Sequence, residues 1–332
     1  MSQGGKDTTG PIFISGRQHS GNTMTAVIFS MVPDCFVVNV EGWFFEHRGI
    51  VDKIKDPTRR AQYIVDILRL EDADLAERTR VWLADWHQQH PQASSIDVYR
   101  QAMRFATTSS GKRFWVRRAT SYIFYAQDIL TLMPEARLLY LLRNPYDKCA
   151  SLKRRNPRLD RFGAMVIGWN KGLRIASKLQ EAHPDRIRIV RYEDMVTKPV
   201  ETFREVFDFV GVPFREQYLE IPHVNRSEAH QIRTSETRGI NKSRVYYYVD
   251  VLRPSEIAAI DMLVAKHSIR EMYPDLSTHR DVGWVGRVGA LWWLALSPYR
   301  YAASQVRRFV QQNSRWRARR FLWRVGSMIK KQ

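Results

Sequence analysis

The sequence lacks the features that mark secreted and membrane-spanning proteins. It has only two cysteines among 332 residues, too few for a disulfide framework and without neighbours at the spacing of a zinc site. No apolar run reaches the length of about 18 residues that a spanning helix needs. Residues 1–10 lack the apolar core of a secretory signal. These absences predict a cytoplasmic protein without a metal site.

Acidic residues are scarce relative to basic ones. There are 34 Asp and Glu against 53 Lys and Arg, which gives a net charge of +19. The excess is uneven, because residues 280–332 hold twelve Lys or Arg and one acidic residue. We therefore predict a folded domain over residues 1–279 and a basic, Trp- and Arg-rich helical extension over residues 280–332.

Residues 12–25, IFISGRQHSGNTMT, organise the rest of the chain. They pass from a short apolar run suited to a buried strand, through a glycine-containing turn, to the start of an apolar helix. A helix N-terminus presents unpaired backbone N–H groups and a favourable dipole to an anion. Gly21 allows close backbone approach, and the hydroxyls of Ser20 and Thr23 add donors. The stretch predicts a phosphate-binding loop.

The spacing of this loop nearly matches that of a nucleotide-triphosphate P-loop. Gly16 and Gly21 have the expected separation, but Asn22 stands where the P-loop has its lysine. That lysine reaches the β- and γ-phosphates, so its absence argues against ordinary ATP or GTP hydrolysis. A loop that only turns a strand into a helix remains the alternative.

The order of the other elements indicates the fold class. Apolar runs that suit strands occur at residues 12–14, 35–40, 112–116, 138–142 and 186–191. Helical patterns separate them, which predicts an α/β fold with a mostly parallel central sheet flanked by helices. Residues 57–110 have helical periodicity and are predicted to form an insertion on the substrate side. Residues 225–243 are polar and without periodicity, as a loop would be.

Two tryptophans in the insertion lie one helical turn apart, at Trp82 and Trp86. Side chains at this spacing share one helix face. They either pack against the domain or offer a platform for a sugar ring.

Charged residues follow the predicted strands where ligands gather in a parallel sheet. Glu41 comes directly after the second strand, with Glu46 and His47 as nearby rivals and a solvated loop acid as the plain alternative. Arg143 follows the strand at 138–142. Ser151 lies on the helix after it, four residues before an arginine that faces the same way. These groups either converge on one phosphate or sulfate or belong to a solvated helix.

Four separated blocks together resemble the PAPS-dependent sulfotransferases, which use 3′-phosphoadenosine 5′-phosphosulfate. The blocks are GRQHSGNTMT, RNPYDKCAS, YEDM and the weaker SETRGIN. The first is similar to the family's 5′-phosphosulfate loop, and the second to its 3′-phosphate motif R-x-P-x-D-x-x-x-S. The resemblance covers residues 11–276 and implies a P-loop-like sulfotransferase fold with PAPS as sulfuryl donor.

The resemblance also implies roles for individual residues. The 5′-phosphosulfate would be held by Gln18, His19, Ser20, Gly21, Asn22 and Thr23. Arg143 and Ser151 would bind the 3′-phosphate, and Arg155 would add to that grip. Tyr192 would lie near the adenine. Arg238, in the SETRGIN segment, would close over the phosphates.

Two features of the sequence depart from the family pattern. His19 stands where the family has Lys or Arg, so the charge there depends on pH as an arginine's would not. The segment at residues 118–121 lacks the lysine found in the family. We expect Glu41 to be the general base, with His47 as runner-up, and His19 to stabilise charge on the leaving phosphate. The scheme requires no metal.

The sequence also gives expectations for the acceptor and the partners, which depend on composition and not on motifs. A glycan or glycolipid hydroxyl is favoured by the basic tail and the tryptophans of the insertion. The extension predicts peripheral contact with an anionic membrane at its inner face, nucleic acid is disfavoured, and the oligomeric state stays open. The competing functions are a P-loop phosphotransferase and a basic protein that binds membrane or nucleic acid.

Overall fold

The computed structural model describes residues 10–155, 162–225, 233–240, 242–274, 276, 288–291 and 295, with the backbone alone at 223–225 and 233–238. Most of the predicted extension, and the predicted boundary between residues 279 and 280, lie outside this part of the chain. The chain divides into two compact units. The first comprises Met1–Arg143 and Trp169–Val245, and the second comprises Asn144–Gly168 and Tyr246–Gln332.

A five-stranded sheet forms the centre of the first unit. Its strands are β1 (Ile12–Ser15), β2 (Cys35–Val38), β3 (Phe114–Arg118), β4 (Arg137–Leu142) and β5 (Ile187–Arg191). Their order across the sheet is β2-β3-β1-β4-β5, and every neighbouring pair is parallel. The predicted α/β fold with a parallel sheet is therefore confirmed. The central place of β1 puts the loop after it at the point where the strand order reverses, which is where such sheets bind ligands.

Helices connect and cover these strands. They are α1 (Asn22–Ser30), α2 (Phe44–Val51), α3 (Pro57–Leu68), α4 (Ala73–Gln89), α5 (Ser95–Ser109), α6 (Ala126–Leu132), α7 (Pro145–Arg155), α8 (Phe162–Ala182), α9 (Tyr192–Thr197), α10 (Pro199–Val210), α11 (Tyr248–Val251), α12 (Pro254–Leu263) and α13 (Lys266–Met272). Two short 3-10 helices lie at Tyr122–Tyr125 and Glu216–Leu219. Helices thus occupy most of residues 57–110.

The two faces of the sheet are covered by different side chains because successive strand residues point to opposite faces. Ile12 and Ile14 belong to a hydrophobic core that includes Phe29 of α1 and Phe207 of α10, whose rings stack at 4.9 Å. Phe13 points the other way and meets three aromatic rings edge to face at 5.3 to 5.9 Å. Each such pair adds about 0.5–1.5 kcal/mol beyond its area burial. The β1 strand is therefore fixed from both sides.

Side chains cap the helices of the segment between β2 and β3. Asp56, Asp72 and Ser94 each accept a hydrogen bond from the backbone N–H three residues later. Such caps satisfy amides that a helix start leaves unpaired, and each is worth about 1 kcal/mol. These short polar residues fix where α3, α4 and α5 begin.

The segment predicted as a loop over residues 225–243 contains a strand instead. Its β7 (Arg233–Arg238) pairs antiparallel with β6 (Pro222–Asn225). The sequence of β7, RTSETR, has no apolar residue. A strand without apolar residues shows no hydrophobic alternation, so the pattern that reveals strands was missing here.

The tryptophan pair of α4 is part of a surface stack of aromatic rings. Trp82 stacks with Phe105 at 4.6 Å and with Trp86 at 6.4 Å, and Trp86 stacks in turn with His90 at 4.4 Å. Each indole therefore uses its faces on neighbouring rings. This arrangement favours packing over a sugar platform.

Hydropathy gives no sign of a membrane span in the part of the chain that the structure describes. None of the helices there is both long and apolar enough to cross a bilayer.

Candidate active site

Side-chain hydrogen bonds fix both ends of the loop after β1. The Ser15 hydroxyl accepts a hydrogen bond from the Ile123 amide at 2.8 Å. Asn22, at the position of the P-loop lysine, donates its side-chain amide to the Gly16 carbonyl at 2.6 Å and is largely buried. An added Cβ at Gly16 would lie 2.6 Å from the Leu141 carbonyl oxygen. The residue in place of lysine thus closes the loop and does not reach outward.

The turn into α1 has the geometry of an anion cradle. Gly21 has φ +95°, a left-handed conformation that favours glycine. The first helical hydrogen bond runs from the Thr25 amide to the Gly21 carbonyl at 3.0 Å, so the amides of the first turn have no helical partner. The Ser20 hydroxyl is fully buried and has no hydrogen-bond partner among the residues that the structure describes. A buried hydroxyl without a hydrogen bond lowers the stability of the fold by about 1–3 kcal/mol, unless a ligand accepts its hydrogen bond.

The remaining loop residues differ in exposure. Gln18 is exposed, whereas His19 and Thr23 are half-buried. His19 has φ 69°, so the backbone turns sharply at this residue. The loop therefore presents its middle to solvent and buries its serine.

Arg143 joins the loop to the residues that follow β5. Its guanidinium donates to the His19 carbonyl at 3.0 Å and to the Arg244 carbonyl, and it lies 4.3 Å above the Tyr192 ring. Tyr192 also lies against the turn, because a Cβ added at Gly21 would be 3.0 Å from its ring. Arg143 is 3% exposed. The structure thus brings together four of the residues that the sequence assigns to donor binding.

Ser151 and Arg155 belong to the second unit, on α7. The Ser151 hydroxyl shares a hydrogen bond with the Tyr247 hydroxyl at 2.5 Å, and Arg155 is exposed at the end of the helix. Asp147, one turn before Ser151, accepts hydrogen bonds from the Tyr246 and Tyr248 amides at 2.8 and 3.0 Å. The spacing of the motif thus places the Ser151 hydroxyl beside Tyr247 and the Asp147 carboxylate beside the Tyr246 and Tyr248 amides.

Arg238 is the last residue of β7, and its side chain lies outside what the structure describes. The backbone beside it is held by the Gly239 amide, which donates to the Ile221 carbonyl at 2.9 Å. The role expected for Arg238 stays a prediction.

The three candidate bases differ in how they are engaged. Glu46 accepts a hydrogen bond from Ser121, and the His47 ring is 2.7 Å from the Tyr63 hydroxyl. Glu41 is half-buried, and within the described residues it has no hydrogen bond or ion pair. Its charge acts on Arg17 of the loop after β1. Glu46 uses one carboxylate oxygen on Ser121 and keeps the other buried without a partner among the described residues, whereas both oxygens of Glu41 are without a hydrogen bond there.

The sequence did not single out Arg17 or Arg117. Burial lowers the pKa of Arg17, while Tyr140 and Glu41 nearby oppose that change. Arg117 is buried at the end of β3, where it donates to the Leu68 carbonyl at 2.8 Å. A Cβ added at Gly42 would lie 1.7 Å from its guanidinium. Its position near the end of a strand was the signal in the sequence that could have identified Arg117. In the structure its guanidinium packs against Gly42, the residue after Glu41.

Metal ligands are not clustered in the described part of the chain, where no group of three or more His, Cys, Asp or Glu side chains could hold an ion. The chemistry that these residues offer is that of hydrogen-bond donors, cations and one carboxylate at the carboxyl end of a parallel sheet.

A family model described as "Sulfotransferase family" matches residues 11–216. The chain belongs to the sulfotransferase family. The match covers the loop after β1, Glu41, Arg143 and Tyr192, so this sulfotransferase carries most of its candidate site within the family region, and Arg238 lies beyond it. Among curated proteins, no sequence matches it.

Two solved structures agree with this assignment at the level of the fold. The sulfotransferase domain from the Synechococcus PCC 7002 olefin synthase is 17% identical, with 74% of this chain and 88% of that chain covered and a TM-score of 0.50. The sulfotransferase domain from the curacin biosynthetic pathway is 18% identical, with coverages of 78% and 97% and a TM-score of 0.51. Mouse sulfotransferase SULT7A1, solved in complex with PAP, is 12% identical, with coverages of 85% and 88% and a TM-score of 0.39.

Proposed function

We propose that this sulfotransferase moves a sulfuryl group from PAPS to an acceptor hydroxyl by in-line transfer. The observation that carries the proposal is the turn at residues 20–21, where a buried hydroxyl without a partner in the described part of the chain adjoins the first-turn amides of α1. A phosphosulfate group has the oxygens that these donors need. Without the P-loop lysine, the same cradle is less suited to a nucleoside triphosphate.

Donor binding is assigned to the residues that the motifs mark. Ser20, Gly21 and Thr23 would hold the 5′-phosphosulfate with the neighbouring Gln18, His19 and Asn22. Arg143, Ser151 and Arg155 would bind the 3′-phosphate, Tyr192 would lie by the adenine, and Arg238 would close over the phosphates. The stacking of Arg143 on Tyr192 supports this division, because it places a cation and an aromatic face side by side.

The transfer step uses a base on the acceptor side and positive charge on the leaving side. Glu41 accepts the proton of the acceptor hydroxyl, and the hydroxyl oxygen of the acceptor attacks the sulfur atom. The bond from sulfur to the bridging oxygen breaks, and its electrons stay on the 5′-phosphate of PAP. His19 in its protonated form stabilises that negative charge.

The acceptor is proposed to be a glycan or glycolipid hydroxyl. Support comes from Trp43, two residues after Glu41, which is 42% exposed and has the Arg69 guanidinium 4.9 Å from its ring. The indole also stacks with His47 at 6.2 Å, so its exposed part offers a small apolar surface, and the adjacent cation adds a donor for oxygen. This surface, unlike the stack around Trp82, lies in sequence beside the proposed base.

A thermal-shift comparison of PAP, ATP and duplex DNA tests the donor. PAP should raise the unfolding midpoint, because a ligand at a hundredfold excess over its Kd stabilises the fold by about 2.7 kcal/mol. ATP and DNA should raise it little. A larger shift with ATP would favour the P-loop phosphotransferase, and a shift with DNA alone would favour the nucleic-acid-binding protein.

The charge of His19 predicts an unusual pH dependence. His19→Arg should retain activity and move the alkaline fall in rate to higher pH, because arginine stays protonated where histidine loses its charge. The pH–rate profiles of the two proteins measure this, with His267→Arg on exposed α13 as control. An identical alkaline limb in wild type and His19→Arg would show that His19 does not set it.

Residues 280–332 are proposed to hold the enzyme on an anionic membrane, peripherally at its cytoplasmic face. This segment lies almost entirely outside the described residues, and its support is the mixture of basic and aromatic residues. Basic residues near anionic lipid contribute about 1 kcal/mol each, and aromatics suit the headgroup boundary.

A chain ending at Asp281 should keep PAP affinity and stop sedimenting with phosphatidylserine vesicles, whereas the full chain should sediment and be released by high salt. Trp316→Ala combined with Trp323→Ala, which leaves the charge unchanged, should weaken sedimentation less than the truncation. Equal sedimentation of the full and truncated chains would rule out this anchor.

A further inference from the structure

The chain that follows Glu41 is joined to the end of α3. The Trp43 amide donates a hydrogen bond to the Ile67 carbonyl at 3.4 Å, and α3 ends one residue later at Leu68. The guanidinium of Arg69, the next residue, lies 4.9 Å from the centre of the Trp43 ring. The backbone directly after Glu41 is therefore held against the end of this helix.

Arg117 bridges the same two parts of the chain. It is 1% exposed, and it lies beside Val38, the last residue of β2, in the parallel register of the sheet. Its Nη2 donates a hydrogen bond to the Leu68 carbonyl at 2.8 Å. A Cβ added at Gly42 would lie 2.7 Å from the central carbon of the guanidinium and closer still to Nη2. The guanidinium can keep this place only because residue 42 has no side chain.

The rest of the Arg117 guanidinium is enclosed. Its Nε and Nη1 meet no acceptor with hydrogen-bond geometry among the described residues. Burial raises the pKa of the Tyr99 and Tyr122 phenols, and the nearby Arg117 cation opposes that rise. Both phenols stay neutral, so neither balances the cation. Burying a guanidinium in this way is costly, and its one hydrogen bond and its closest contact both lie where α3 meets the turn after Glu41.

We propose that Arg117 and Gly42 are positioning residues for sulfuryl transfer, whose contact fixes the backbone that carries Glu41. This rests on the proposed function, because it acts through the base assigned there. A general base works only within hydrogen-bond reach of the proton that it takes, and a misplacement of about 1 Å can lower a rate about a hundredfold. The contact is made with the backbone, so it requires no ion pair between Arg117 and Glu41.

Gly42→Ala is the first test, because its methyl group would collide with the guanidinium. The rate of label transfer from [35S]PAPS to a total cell extract, at saturating PAPS, should fall about a hundredfold. The KM for PAPS and the PAP affinity measured by calorimetry should stay unchanged. Gly49→Ala is the matched control and should behave as wild type, because a Cβ at Gly49 on α2 meets no atom of the described residues within 4 Å.

Arg117→Lys tests whether the loss comes from this contact. Lysine keeps the positive charge but ends in one nitrogen instead of a planar fork. Alone it should lower the rate about tenfold, and it leaves room for a methyl group at residue 42. Adding Gly42→Ala to Arg117→Lys should therefore lower the rate by less than about threefold. A further loss as large as in the wild-type background would overturn the proposal.

Both substitutions should act only through Glu41. On top of Glu41→Gln, Gly42→Ala and Arg117→Lys should each change the remaining rate by less than about twofold, because residues that act as a unit have non-additive effects. If Gly42→Ala does not fold, Arg117→Lys carries this comparison, with its PAP affinity as the check of its fold. An equal loss with and without Glu41→Gln would overturn the positioning role while leaving the proposed function standing. A wild-type rate in Glu41→Gln itself would overturn the assigned base and, with it, this proposal.

Discussion

Glu41→Gln is expected to lower the rate of sulfuryl transfer by about 10²–10⁴-fold, the usual effect of losing a general base. Glutamine has the same shape but cannot take the acceptor's proton. Because Glu41 makes no hydrogen bond or ion pair within the described residues, its replacement should leave the fold and the PAP affinity unchanged. Initial rates with [35S]PAPS and calorimetry with PAP measure the two quantities.

Glu46→Gln is the matched control, because it changes a neighbouring carboxylate in the same way. Its hydrogen bond from Ser121 can be kept by the amide oxygen, so we expect a rate near that of wild type. A rate near wild type in Glu41→Gln would instead move the base elsewhere. His47 is then the next residue to replace, although its bond to Tyr63 would first have to open.

Arg143→Ala has the second largest expected effect, on donor affinity. Hydrogen bonds to charged groups are worth about 1.5–3 kcal/mol. Losing them should raise the Kd for PAP roughly 10- to 150-fold. The loss has two sources, because Arg143 is assigned to the 3′-phosphate and also holds the His19 carbonyl of the loop. Ser151→Ala should weaken PAP binding by a smaller factor.

Arg186→Ala provides the comparison for Arg143→Ala. It also removes hydrogen bonds to carbonyls, at Leu130, Met133 and Ala136, but away from the loop. We expect a lower unfolding midpoint and full PAP affinity. Calorimetry that finds the same affinity in wild type and in folded Arg143→Ala would remove the 3′-phosphate assignment.

The sequence predicted the sheet because its strands are buried on both faces and stand out as apolar runs. The strand 138–142 became β4, and the residue after it, Arg143, became the link between the loop and Tyr192. Motif order and strand ends are local properties of the chain. Local patterns therefore located the candidate site before any contact was known.

Contacts between distant side chains could not be predicted in this way. The place of Arg17 depends on Phe124, more than a hundred residues later, and no spacing rule joins them. The β7 strand has no apolar residue, so no hydrophobic alternation in the sequence announces its pairing with β6. Asn22 was recognised as a missing lysine, but only the fold shows that its amide closes the loop on Gly16.

Transfer of label from [35S]PAPS is the most direct test of the account. The wild-type protein should move 35S from PAPS into the lipid or glycan fraction of a total cell extract, and Glu41→Gln should not do so under the same conditions. Labelling of that extract from [γ-32P]ATP, with no transfer from [35S]PAPS, would contradict the account and identify a phosphotransferase instead.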